Sequence, residues 1–281
     1  KKTRAIMLIN VLGISSDLFK IRKIADKKKI IIIEDNCESL GSTLKKKYLG
    51  TFGDYGSFSF YYSHQITSGE GGMVTCNKKE DYDILFALRS HGWLGGTRFY
   101  KRNLKSYNTY AKQNPKLDPR YIFINSGFNL RPTDIQAAIA HNQFKRLDTL
   151  KKFRNINKNL IIEKISNSKK WKNQFKFIVT PKDIDPSWMG LPILLSEKYI
   201  KKKQKFVNFL DNQGIETRPI ISGNFANQPA AKLYKLCKKN EKFENAQKVQ
   251  ELGFLIGLHT KKLSKKNLDL IHDSFFMIDN I

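Results

Sequence analysis

The sequence predicts an α/β fold, in which a larger first domain with a mostly parallel sheet flanked by helices precedes a smaller α+β domain. Three observations predict it. Two continuous apolar runs, RAIMLINVL (4–12) and IIIIE (30–34), bracket an amphipathic stretch, the pattern of a β-α-β unit whose strands are covered on both faces. Glu34 and Asp35 stand at the carboxyl end of the second run, where open α/β sheets bind ligands. Strand-like and helix-like segments then alternate again, which divides the chain into 1–150 and 151–281.

The elements follow in order. Gly13 and Ser15-Ser16 end the first strand, and Asp17 to Lys28 read as a helix with Leu18, Ile21, Ile24 and Ala25 on one face. SFSFYY (57–62) and GMVTC (72–76) read as strands separated by the glycine-rich SGEGG (68–72), and a helix follows at about 79–90. Residues 93–120 are rich in Lys, Asn, Tyr and Gly with weak periodicity. They read as a long loop of the kind that serves enzymes as a lid or binding segment. Pro132 and Asp134 open a helix through about Leu147, with Ile135, Ala138 and Ile139 apolar. A second helix covers about 148–165. Beyond it come a strand at 188–195, a helix at 197–213 stopped by Gly214, a short strand at 215–220 and a terminal helix at 264–279.

Composition narrows the functional classes. The 281 residues, 40% of them hydrophobic, suffice for one large or two modest cores. No run of 18 apolar residues appears, so no membrane span is expected. The start, KKTRAIMLIN, has no signal-peptide layout and no Met, so the chain is expected to begin partway through a gene product. Cys37, Cys76 and Cys237 lack metal-ligand spacing and are odd in number, which fits free thiols in a reducing cytoplasm and no metal. The net charge of +26 raises nucleic acid as a partner. Only ten of the 51 basic residues are Arg, however, and base readers favour Arg forks. The lysine triplets at 27–29, 45–47 and 201–203 fall at expected turns and helix ends. The reading is a lysine-biased surface, no nucleic-acid partner, and a field that draws an anionic, phosphate-bearing substrate.

Four segments carry more specific information: EDNCESLG (34–41), GTFGDYGSFSFYYSHQITSGEGG (50–72), GFNLRPTDIQAA (127–138) and IETRPIISGNF (215–225). Taken alone, Asp35 reads equally well as a helix cap and Ser59 as an ordinary strand serine. Together, in this order and spacing, the segments resemble the DegT/StrS sugar aminotransferase family of fold-type I pyridoxal phosphate enzymes. The resemblance implies a fold-type I large domain and a cofactor, pyridoxal 5′-phosphate or pyridoxamine 5′-phosphate. It implies that Asp35 holds the proton on the cofactor ring nitrogen and that Glu38, where the family usually has Gln, lies near the ring hydroxyl. Ser59 matches a serine that bonds the cofactor phosphate. Asn129 matches an asparagine that reaches the phosphate bound in the neighbouring subunit, which implies a homodimer with shared active sites. Substrate contacts are expected from His91, Arg131, Arg218 and Asn224. The family's first phosphate-binding loop and ring-stacking aromatic are expected upstream of the segment matching residue 1.

The resemblance breaks at one position. Family aminotransferases carry, where this chain has His64, the lysine that tethers the cofactor, and no Lys lies between Lys47 and Lys78. An imidazole has no primary amine and cannot form that tether, but it moves protons near neutral pH. This pattern is similar to the family's 3-dehydratases of deoxysugar pathways. With no cysteine-rich segment for an iron–sulfur cluster, the likeness is to the cluster-free type acting on a GDP-linked 4-keto-6-deoxymannose. The GNF of 223–225, followed by Gln228-Pro229, is similar to that group. The implied reaction is dehydration at C3 of a nucleotide-linked 4-keto-6-deoxyhexose in lipopolysaccharide (O-antigen) biosynthesis, with glutamate as amino donor. The alternative is a family protein without transfer activity that serves as a binding or scaffold subunit.

Overall fold

The computed structural model describes residues 2–94, 104–238 and 241–281. They form two units, the second comprising everything from Arg146 onward together with residues 11–14 and 38–46.

The first unit is built on strands β1 (Ala5–Ile9), β2 (Ile31–Asp35), β5 (Tyr55–Ser59) and β6 (Gly72–Cys76), in the order β1-β2-β5-β6. The two-residue strands β3 (Thr43–Leu44) and β4 (Lys47–Tyr48) intervene in sequence. β1, β2 and β5 are parallel, and β6 runs antiparallel to β5. Helix α1 (Leu18–Lys28) supplies the crossover. Asp17 caps it by accepting from Lys20 N, and the αL residue Lys29 ends it. Leu18 and Ala25 are its buried residues, and Ile24 is exposed. The expected face is therefore narrower than the pattern suggested. β1 is also less covered than its apolar run implied, with Met7 60% and Ile9 62% exposed. As an edge strand it points alternate side chains away from the core.

The β5–β6 pair is a hairpin whose loop runs from Phe60 to Gly71. Tyr61 and Tyr62, expected in a strand, lie in this loop and are exposed. α2 (Lys79–Leu88) follows. The expected 93–120 loop contains a helix, α3 (Leu104–Gln113), and residues 95–103 lie outside those described. α4 (Asp134–Phe144) begins at a capping box between Thr133 and Gln136, so Pro132 precedes it. It buries none of its residues, and Ile135 and Ile139 are exposed.

The second unit is organised by an antiparallel sheet, β10-β11-β9-β7, of β7 (Phe175–Phe177), β9 (Gly190–Leu195), β10 (Thr217–Arg218) and β11 (Gly253–Gly257). β3 pairs with β8 (Ile184–Asp185). α5 (Leu147–Ser166), α6 (Lys203–Asn212), α7 (Pro229–Leu233), α8 (Glu244–Leu252) and α9 (Lys265–Phe276) complete it. Its core is aromatic: Trp188, Phe206, Phe254 and Phe275 are fully buried, and Phe206 packs edge-on against both Phe254 and Phe275. The lysine triplets sit at the end of α1, in a turn where Lys45 and Lys46 have positive φ, and at the entry to α6.

Candidate active site

The parallel strands of the first unit end together. Ile9, Asp35 and Ser57 are in register across β1, β2 and β5. Glu34 and Asp35 point to opposite faces, as neighbours on a strand do, and their surroundings differ. Glu34 is 0% exposed. It accepts hydrogen bonds from Phe52 N and Gly53 N, both at 2.6 Å, from Gly50 N at 2.9 Å and from Asn10 Nδ2 at 3.2 Å. Read from sequence as ligand-facing, it is occupied in holding the 50–53 turn. Asp35 is half-buried and accepts from Cys37 N at 3.0 Å.

His64 sits in the Phe60–Gly71 loop, which is pinned by its own backbone. Phe60 N donates to Gly71 O, Ser68 N to Phe60 O, Thr67 Oγ1 to Phe60 O, and Gly69 N to Thr67 Oγ1. Gln136 at the start of α4 donates to Glu70 O at 2.9 Å. His64 N donates to Tyr61 O, and the Tyr61 ring lies edge-on to the imidazole at 5.7 Å. His64 Nδ1 is buried with no hydrogen-bond partner among the described residues. Burial pushes the imidazole below its ordinary value of 6.5, and the Asp35 carboxylate opposes that shift. The structure thus brings His64 and Asp35 within electrostatic reach and leaves the imidazole neutral at neutral pH, the form that accepts a proton. Ser59, the last residue of β5, accepts from Tyr61 N through its hydroxyl at 3.1 Å.

Asn129 and His91 belong to one local arrangement. His91 N donates to Phe128 O, Phe128 N to Leu88 O and Leu130 N to Arg89 O. A β-bridge joins Ser90 to Asn129. The approach is so close that a Cβ on Gly92 would stand 1.7 Å from Asn125 O, and one on Gly127 would stand 2.1 Å from Gly92 N. Only glycine fits either position. The side chains of His91, Asn129 and Arg131 are exposed.

The remaining candidates lie in the second unit. Glu38 accepts from Leu12 N at 3.0 Å. Arg218 is exposed and pairs with Glu216 at 2.7 Å. Asn224 is buried and caps the turn at Phe225–Asn227, accepting from Ala226 N and donating to Gln247 Oε1. It also lines a hollow of about 770 Å³ that carries Lys232, Lys235, Lys238 and Lys242. Sequence reasoning passed over these lysines as surface charge, since Lys232 of α7 and the three that follow it before α8 share one hollow only in the fold. The Tyr61 contact with His64 was equally unavailable from a two-residue-period strand reading. All three cysteines are free thiols. No helix among the described residues is long and apolar enough to cross a membrane.

Known proteins resemble this chain over most of its length. The chain is 32% identical over 263 residues to the GDP-4-keto-6-deoxy-D-mannose 3-dehydratase of Escherichia coli O55:H7, covering 93% of this chain and 64% of that protein. It is 34% identical over 275 residues to the enzyme of the same name from Yersinia pseudotuberculosis, covering 95% and 66%. The chain therefore spans just under two thirds of the length of these curated relatives. The solved E. coli GDP-4-keto-6-deoxy-D-mannose-3-dehydratase with bound hydrated PLP superposes with a TM-score of 0.83 at 30% identity, covering 98% of this chain and 67% of that one. The fold is that of the PLP-dependent aminotransferases. With the DegT/DnrJ/EryC1/StrS aminotransferase model matching residues 1–275, the chain belongs to that family.

Proposed function

We propose that this chain acts in a nucleotide-sugar 3-dehydratase, which removes the C3 hydroxyl as water from a GDP-linked 4-keto-6-deoxyhexose. The observation that carries the reading is His64: a neutral imidazole stands where the family's tethering lysine belongs, with one buried nitrogen that has no partner among the described residues. That orphaned nitrogen and the Asp35 carboxylate at the strand end are the groups a pyridinium cofactor calls for, so the residues fit pyridoxamine 5′-phosphate. When bound, this group supplies the electron sink through which the C3 hydroxyl leaves. Asp35 would hold the proton on its ring nitrogen, Glu38 would lie near its ring hydroxyl, and Ser59 and Asn129 would hold its phosphate. His64 takes up a proton in its neutral form and, once protonated, delivers it to the departing C3 oxygen. Glutamate, oxidised to 2-oxoglutarate, supplies the amino group and the electron pair, and ammonia is released. His91, Arg131, Arg218 and the Asn224 hollow with its lysines would bind the substrate, whose diphosphate suits that charge.

A homodimer with shared sites, working in the cytoplasm, completes the reading. The apolar surface at Phe128, Leu130, Ile135 and Phe144, each at least 60% exposed, supports a second copy covering it. The test uses the full-length protein with pyridoxamine phosphate, glutamate and a panel of GDP- and dTDP-linked 4-keto-6-deoxysugars, read by mass. Loss of one oxygen from a GDP-sugar is the expected result. An aminated sugar, or recovery of unchanged sugar with every substrate, overturns the reading.

A further inference from the structure

A second cluster lies in the other unit, apart from every residue assigned above. Beyond the end of α5 the chain turns, with Ser168 N donating to Ile165 O and Trp171 N to Ser168 O. Ser168 Oγ stands 2.9 Å from His272 Nε2 on α9, and His272 Nδ1 stands 2.8 Å from the Asp273 carboxylate. The partners fix the tautomer. The carboxylate only accepts, so Nδ1 carries the hydrogen and Nε2 is left to accept the Ser168 hydroxyl proton. Lys170 N donates to Ser168 Oγ at 3.2 Å and holds the oxygen in place. The imidazole is held from its other side by the Phe276 ring, edge-on at 5.0 Å. Near the preceding turn of both helices, Lys164 of α5 pairs with Asp269 of α9, which sets their register. Lys169 N, directly after the serine, has no acceptor among the described residues. An N–H in that position is the usual donor to a developing oxyanion.

We propose that Ser168 is an activated nucleophile, with His272 as its base and Asp273 as the group orienting that base, and that it hydrolyses short activated acyl esters. Ser168 Oγ attacks the ester carbonyl carbon and its proton passes to His272 Nε2. The alcohol leaves with that proton. Water then attacks the acyl-serine, His272 takes its proton and returns it to Oγ, and the acid is released. The order of donors and acceptors is that of the serine–histidine–aspartate hydrolases, and the half-buried serine and histidine with an exposed aspartate suit a small acyl group approaching from solvent.

The experiment treats the full-length protein with a fluorophosphonate probe and, separately, with p-nitrophenyl acetate. Adducts are mapped by mass, and folding of each variant is checked by circular dichroism. One adduct per chain is expected on Ser168, together with ester turnover, and both are lost in Ser168→Ala. His272→Asn slows labelling by about 100-fold or more. Asp273→Asn, whose side chain is largely in solvent, slows it while keeping the fold, and carries the comparison should the other variants unfold. Absence of an adduct at Ser168 in the folded protein overturns the proposal. So does labelling at an undiminished rate in folded Asp273→Asn and His272→Asn.

Discussion

Replacing Glu34 by glutamine tests how the strand end is held. The substitution keeps shape and volume but exchanges one acceptor oxygen for an NH2 group. Oε1 accepts from Phe52 N and Gly53 N, and Oε2 from Gly50 N and Asn10 Nδ2. Whichever way the amide turns, its NH2 faces two donors. The cheaper orientation puts NH2 at the Oε2 side, because Asn10 is a side chain and can turn away, while Gly50 N is fixed backbone. Each buried donor left unpaired costs about 1–3 kcal/mol, and the two surviving bonds weaken by roughly 1 kcal/mol each on losing the charge. With Gly50 N the one donor left unpaired, the expected destabilisation is about 3–5 kcal/mol, a large share of the ~5–15 kcal/mol that holds a domain together. Urea unfolding of the chain and of Glu34→Gln, followed by circular dichroism, measures it. A loss below about 1 kcal/mol would refute the view that this carboxylate organises the 50–53 turn.

Other outcomes follow from the same reading. Gly92→Ala, at φ +80° with its Cβ 1.7 Å from Asn125 O, should break the pairing of 88–92 with 125–130 and cost about 2 kcal/mol or more; a melting point equal to wild type contradicts it. Tyr199 is pushed up to about 12, by burial first and by its bond to Asp279 second. The same bond is the largest cause holding Asp279 below 3.8. A depressed carboxyl stabilises above its unfolded value, and that stability is lost as pH falls through the folded one. The stability gap between wild type and Tyr199→Phe should therefore be present at pH 6 and shrink in acid. In an NMR titration of the chain, the His64 C2 proton should report a midpoint below 6.5, and Asp35→Asn should lower it further by removing the opposing charge; a rise on that substitution would separate the two groups. Because the depressed imidazole resists protonation when folded, the unfolded chain binds more protons just below pH 6.5, and His64 makes the fold less stable there.

What the sequence disclosed, and what it hid, has physical causes. The β-α-β unit, with Asp35 at the end of its second strand, was readable because two continuous apolar runs bracket an amphipathic helix. β6 came out with the bounds read from sequence because Gly71-Gly72 open it and Asn77-Lys78 follow it. β11 was missed: its five residues, GFLIG, form a short apolar run directly after α8, and such a run has no period to separate strand from buried helix. α3 was missed because its apolar positions Leu104, Tyr107 and Ala111, though helically spaced, lie within a longer stretch rich in Lys, Asn and Gly. The strand pattern alone put Glu34 beside Asp35 at the ligand end, since sequence does not say which face of the strand meets the 50–53 backbone. The residues Ile135, Ala138 and Ile139 of α4 were legible as apolar, but such a pattern does not say what covers them, and Ile135 is 73% exposed.

The hairpin loop explains why residue 64 can change chemistry without changing fold. Its pins run from Phe60 to Gly71, from Thr67 and Ser68 back to Phe60, and from Gln136 to Glu70, each ending on a backbone oxygen, and from Gly69 N to the Thr67 hydroxyl. The imidazole itself makes no hydrogen bond among the described residues. A side chain that contributes nothing to the loop's closure can be exchanged at little cost in stability, and only its proton chemistry changes. Lysine at such a place carries an amine that burial discourages from charging. Histidine carries a proton acceptor that burial keeps neutral, while the Asp35 carboxylate opposes that shift. The pair is tuned by two opposed effects of similar origin, so the charge on Asp35 serves the imidazole as well as any group that Asp35 itself holds.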